Sequence, residues 1–216
     1  MSFELNAVFS LSIVVSVIIG WVRFTKTDPA FFPFLFYLSL GFINEAIGIS
    51  LAWRGYHNVI SYNVFELVES ILLTWQFLKW GLFGQRMGFY YFLQVSFIVL
   101  WLIESLFFSI HTFNSYFVIA HSFLLVMMSI TTINMVVLKE TTALFKQPVF
   151  IFCFALIIFF TYAILVECFW IVGFNHQKIF RLKIFEILSY INFFTNLLFA
   201  FGYLWVPMRP RYILQC

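Results

Sequence analysis

The chain has 216 residues, 63% of them hydrophobic and only 10% charged, with a net charge of +3. An ordinary soluble domain carries about 25% charged residues, and this chain has too little polar surface to cover a water-soluble fold of its size. Composition therefore excludes a soluble enzyme, a disordered chain, a disulfide scaffold and a nucleic-acid binder, and points to an integral membrane protein.

A membrane-crossing helix needs about 20 mostly apolar residues. The sequence predicts seven, over about 5–22, 31–53, 61–80, 89–110, 116–138, 149–172 and 184–205. The expected fold is all-α: one polytopic seven-helix domain over 1–216 with short loops. Span 1 follows Glu4 and lacks a basic leader, so it reads as a retained helix rather than a signal peptide. Span 2 carries Asn44 and Glu45, with the small pairs Ala46/Ser50 and Gly48/Ala52, which predict close packing at the centre of the bundle.

Span 3 is the most polar. Tyr62, Glu66, Glu69, Leu73 and Gln76 share one face at helical spacing, and Asn63 precedes them. Span 4 holds Gln94 and ends near Glu104, span 5 holds His121 and Asn134, and span 6 holds Glu167. On span 7, Ser189, Asn192, Asn196 and Tyr203 line one face, with Glu186 in the first turn. Pro29, Pro33, Pro148, Pro207 and Pro210 fall at or beyond helix ends, so no kinked span is predicted. Cys153, Cys168 and Cys216 read as free thiols.

Orientation follows from the basic residues. Arg23, Lys26, Lys79, Arg86, Lys139, Lys146, Arg209 and Arg211 fall on one side. Arg54, Lys178, Arg181 and Lys183 fall on the other. The excess predicts a multi-pass protein of the inner (plasma) membrane, N-terminus outside and C-terminus cytoplasmic. Glu45, Glu66, Glu69, Glu104, Glu167 and Glu186 then all lie in the outer half. Acids within a bilayer are costly and face the bundle interior or water, so the expected site is an outward acidic pocket between spans 2, 3, 6 and 7. Its candidate ligand-binding residues are Glu66, Glu69, Glu45, Glu167, Asn63, Asn192 and Asn196.

Plainer readings stand beside these. Glu104 and Glu186 would reach lipid headgroups; Glu45, Glu167, Asn192 and Asn196 would hydrogen-bond neighbouring helices; His121 would be a satisfied core histidine. Glu66 and Glu69 lie one turn apart, where two carboxylates repel unless a cation sits between them. Metal binding is left open, with His57, His121 and His176 as candidates. No cofactor motif is found: Gly81, Gly84 and Gly88 lack the Lys-Ser/Thr of a phosphate loop.

Glu45, Gly55-Tyr56-His57-Asn58 and Phe65-Glu66 are followed later, in the same order, by Glu167, Gly173-Phe174-Asn175-His176 and Phe185-Glu186. This suggests a parallel 3+1+3 repeat with span 4 as the linker.

The segments Asn63-x-Phe65-x-x-x-Glu69, Pro148-x-Phe150 and Phe169-Trp170-x-x-Gly173, with an Asn-bearing span 7 and a basic tail, resemble uncharacterised seven-helix membrane proteins of Bacteroidetes. The resemblance implies a bacterial inner-membrane protein with a sensory role and carries over no catalytic residue.

The leading functional reading is a binding or sensing protein for a small polar or cationic ligand, signalling to a partner protein through its basic cytoplasmic loops. Lipids and a protein partner or second copy are the expected neighbours. A cation- or proton-coupled transporter is the main alternative, with Gln76, Gln94, Asn134 and Thr195 as the inner path. A structural subunit of a membrane assembly and an intramembrane lipid hydrolase complete the set; enzymatic activity is not the favoured reading.

Overall fold

A computed structural model of the chain describes residues 3–139, 144–173 and 178–207. Eight α-helices follow in order: α1 (Phe3–Leu11), α2 (Ile13–Val22), α3 (Phe32–Trp53), α4 (Val59–Lys79), α5 (Met87–Glu104), α6 (Ser115–Lys139), α7 (Pro148–Val172) and α8 (Lys178–Trp205). No strand occurs among the described residues. Six segments, with α1 and α2 taken together, are long and apolar enough to cross a membrane. The helix outside that set is α4, which is interrupted by Asn63, Glu66, Glu69 and Gln76.

The predicted span 1 is two helices, α1 and α2, joined at Ser12. There the chain switches to shorter-range bonding, with the Ser12 amide donating to Phe9 O (3.2 Å) and Val15 N–H donating to Ser12 O (3.1 Å). The Ser12 hydroxyl bonds back to Phe9 O at 2.6 Å and accepts from Asn196 Nδ2 at 2.9 Å. A polar side chain inserted from a neighbouring helix is a recognised cause of such irregularity. Span 7 also differs: α8 begins at Lys178, so the basic segment expected in a loop belongs to its first turns.

The helices pack as a closed ring. α2 contacts α3, α3 contacts α4, α4 contacts α6, α6 contacts α7, α7 contacts α8, and α8 returns to α1 and α2. α5 lies outside, against α4 and α6. The expectation that α3 is central is therefore corrected, since it is one member of the ring. A Cβ on Gly48 would meet Asn58 Nδ2 at 3.0 Å, so that glycine permits a close approach. Ser50, on the other small pair, is exposed and satisfies its hydroxyl on Ala46 O at 2.7 Å.

One end of the ring is filled with aromatic side chains. Phe34, Phe77, Phe152, Phe199 and Tyr203 are all buried, and Phe34 stacks on Phe152 with centroids 4.4 Å apart. Two polar side chains secure this end. Gln76 Oε1 accepts from Phe34 N–H at 2.8 Å and its Nε2 donates to Ala30 O at 2.6 Å, tying α4 to the start of α3. Arg23 donates to the Tyr203 and Val206 carbonyls at the end of α8, where a cation is favoured by the helix dipole. Gln76 was a candidate for a transport path; both of its polar atoms are committed to backbone instead. Gln94 donates to Ile71 O at 3.2 Å and Thr195 to Asn192 O at 3.0 Å.

Candidate functional site

The opposite end of the ring holds a cavity of about 320 Å³. It lies where α3 and α7 end and α1, α4, α6 and α8 begin. Glu45 (α3), Glu66 and Glu69 (α4), Glu167 (α7) and Asn192 (α8) all line it, with Asn6 and Ser10 of α1 and Ser122 of α6. No lysine or arginine is among the described residues that line it. A chain of edge-to-face rings, Tyr62–Phe113–Trp170–Phe185, borders it, with successive centroids 5.9, 6.2 and 6.4 Å apart.

The floor is formed by α4 and α6. His121 is fully buried, and Glu66 and Glu69 nearly so. His121 Nε2 lies 3.2 Å from Glu66 Oε2 and 3.7 Å from Glu69 Oε2, off hydrogen-bond geometry. Its Nδ1 is 3.0 Å from Phe117 O, one turn back on α6. A carbonyl only accepts, so this contact places a proton on Nδ1. Nε2 is the ring atom turned toward the two carboxylates. The ring also stacks on Phe117, with centroids 4.9 Å apart. Tyr37 of α3 makes a polar contact with Glu69. Polar contacts also join Ser10 to Glu45 and Ser115 to Glu167.

The structure brings together five of the seven residues expected to bind ligand: Glu45, Glu66, Glu69, Glu167 and Asn192. Asn196 lines an adjoining space of about 50 Å³ and is engaged by Ser12 and by Asn192 Oδ1, the latter at 3.2 Å. Asn63 points elsewhere. Its Nδ2 donates to Ile110 O (3.0 Å) and Thr112 O (2.7 Å), and its Oδ1 accepts from Asn114 N–H, fastening the loop between α5 and α6.

Of the three histidines left open as metal ligands, His121 joins the carboxylates. His57 is exposed in the loop before α4, and His176 lies outside the described residues. Glu104, for which the headgroups were one of two readings, is buried and accepts from Tyr116 N–H (3.0 Å) and Phe117 N–H (2.6 Å). A carboxylate is favoured at that helix start, and it steadies the turn that carries the His121 contact.

Sequence reasoning did not find Asn6, Ser10, Tyr37 or Ser122 as neighbours of the site. They are single polar residues on otherwise apolar segments, and only the ring closure brings them inward. Comparison with protein-family models, curated proteins and solved structures finds no match to this chain.

Proposed function

We propose that this is a seven-span protein of a bacterial inner membrane whose outward-facing cavity receives a small cation and passes its occupancy to a partner protein. The observation that carries this reading is the lining of the cavity. Four glutamates line it, with no lysine or arginine among the described lining residues. Buried charge in low dielectric is costly unless compensated, so an entering cation gains from every carboxylate at once. The aromatic border suits the same class of ligand, because ring faces attract cations.

α4 supplies the seventh span. It is as long as its apolar neighbours, and its carboxylates turn inward, where intramembrane acids are tolerated. The N-terminus is outside and the C-terminus cytoplasmic, since Arg23, Lys26, Lys79, Arg86 and Lys146 gather at the end opposite the cavity. The ring favours the 3+1+3 repeat. Rotating spans 1, 2 and 3 onto 5, 6 and 7 maps each contact of the ring onto another and leaves α5 outside.

A carrier is the second reading, favoured by that same two-fold arrangement. Against it stands the aromatic packing at the cytoplasmic end, which makes the cavity one-sided. Liposome flux separates the two: cation uptake by wild type that Glu69→Gln abolishes would establish a carrier.

Binding is tested by thermal unfolding of the purified protein in detergent, against sodium, magnesium, zinc, tetramethylammonium and putrescine. A ligand at a hundredfold its Kd stabilises by about 2.7 kcal/mol. At least one cation should raise the Tm of wild type and fail to do so in the double variant Glu45→Gln/Glu69→Gln. No shift from any of the five overturns the reading. A C-terminal reporter found active outside the cell overturns the orientation.

A further inference from the structure

We propose that Glu66, Glu69 and His121 form a binding site for a divalent transition-metal ion of the zinc class, at the floor of the cavity. The proposal rests on the cavity being cation-receiving and names the cation it is built for.

Three observations carry it. The first is distance. A four-coordinate ion with bonds of about 2.0–2.1 Å holds its ligand atoms about 3.3–3.4 Å apart. His121 Nε2 lies 3.2 Å from Glu66 Oε2 and 3.7 Å from Glu69 Oε2, and one ligand atom from each of the three residues falls within 4.8 Å of the others. The two distances from His121 bracket the edge of such a tetrahedron.

The second is the state of the imidazole. His121 is wholly buried, and its Nε2 has no hydrogen-bond partner among the described residues. With Nδ1–H donating to Phe117 O, Nε2 is the ring atom that would bind a metal beside the two carboxylates, releasing any proton it carries as the ion enters. Three potential ligand atoms converging on one point match the requirements of a metal ion. A backbone carbonyl holding the far ring nitrogen is the usual outer support of a metal-bound histidine. Tyr37 serves Glu69 in the same way.

The third is the donor set. One imidazole with two carboxylates suits zinc and its first-row neighbours rather than magnesium or calcium, which favour all-oxygen sites. Three protein ligands leave a fourth position for water or a ligand. Ser122, the residue after His121, lines the cavity beside it, and its buried hydroxyl has no hydrogen-bond partner among the described residues.

The test is metal binding by the full-length protein, purified in detergent, stripped with chelator and equilibrated with zinc. Wild type should retain one zinc per chain. Cobalt in place of zinc should give the intense visible bands of a four- or five-coordinate ion. Glu69→Gln and His121→Gln, each confirmed as folded by circular dichroism and gel filtration, should bind zinc more weakly than the 10–100-fold that loss of an outer partner costs.

Wild type that stays well below one zinc per chain at saturating metal overturns the site, whether or not the variants fold. So does stoichiometric zinc that both folded variants keep. Tetramethylammonium and putrescine are run in parallel. Binding of either without zinc overturns the metal site and leaves cation reception standing, whereas no binding of any cation overturns both.

Discussion

His121 Nε2 on α6 and Glu66 Oε2 on α4 lie 3.2 Å apart with both side chains buried, and Glu69 closes on the same nitrogen. Removing the imidazole strands two carboxylates in a low-dielectric core. Breaking a buried charged contact from one side costs about 3–5 kcal/mol. His121→Phe keeps the ring volume and its stacking on Phe117, so its loss of stability reports the polar contact rather than a cavity. Glu66→Gln in the same background should recover part of that loss. Melting of the single and double variants in detergent should give a coupling of about 0.5–3 kcal/mol. Strict additivity would show that the three groups do not act together.

A second contact ties the opposite end of α4 to the start of α3. Gln76 takes up the Phe34 amide and the Ala30 carbonyl, both otherwise orphaned where α3 begins. Gln76→Leu preserves size and leaves two polar groups unpaired. Each costs about 1–3 kcal/mol when buried. The variant should therefore unfold about 2–6 kcal/mol earlier, and cation binding at the far end should be retained by whatever fraction folds. Loss of binding with unchanged stability would instead tie Gln76 to the site.

Much of this was legible in the sequence for a specific reason. Helix length and apolarity set the spans, because the bilayer imposes both. The face of α4 was legible because its glutamates recur at helical spacing. The arrangement of the ring was not. Lipid is as apolar as the protein core, so apolar residues on α6 and α7 do not report which face packs against a neighbour. His121 was one polar residue on an apolar helix. Its place beside Glu66 and Glu69 depends on α4 meeting α6 while α5 lies outside, and no local pattern encodes that. The step at Ser12 was hidden likewise, since its cause is Asn196, on the last helix. Asn63 and Glu104 bind backbone of loops and helix starts, which spacing within one helix does not reveal.

Glycines at helix crossings give a paired test. A Cβ on Gly202 of α8 would press into the ring of Phe152, which is itself fixed against Phe34. Gly202→Ala should cost about 1–3 kcal/mol through overpacking. Gly20 of α2 meets instead the end of the Leu35 side chain, which can turn its methyl away. Alanine is also the better helix former by up to about 1 kcal/mol. Gly20→Ala should thus be neutral within about 1 kcal/mol. Thermal melts of the two variants side by side check the aromatic end of the ring; equal effects would contradict its rigid packing at Phe152.

Glu104 provides the last test, because it links stability at a helix start to the geometry of the site. Its carboxylate accepts from the Tyr116 and Phe117 amides, and the Phe117 carbonyl holds His121 Nδ1 one turn further on. Hydrogen bonds to a charged group are worth about 1.5–3 kcal/mol. Glu104→Ala should lose about that much stability and speed hydrogen exchange at Tyr116 and Phe117. Glu104→Gln keeps an oxygen acceptor for one amide and should fall between alanine and wild type. Loosening of this turn frees the His121 ring, so cation affinity should weaken in the same order, although Glu104 is not among the residues lining the cavity. Unchanged exchange at both amides in Glu104→Ala would show that α6 is held by its packing along α7 instead.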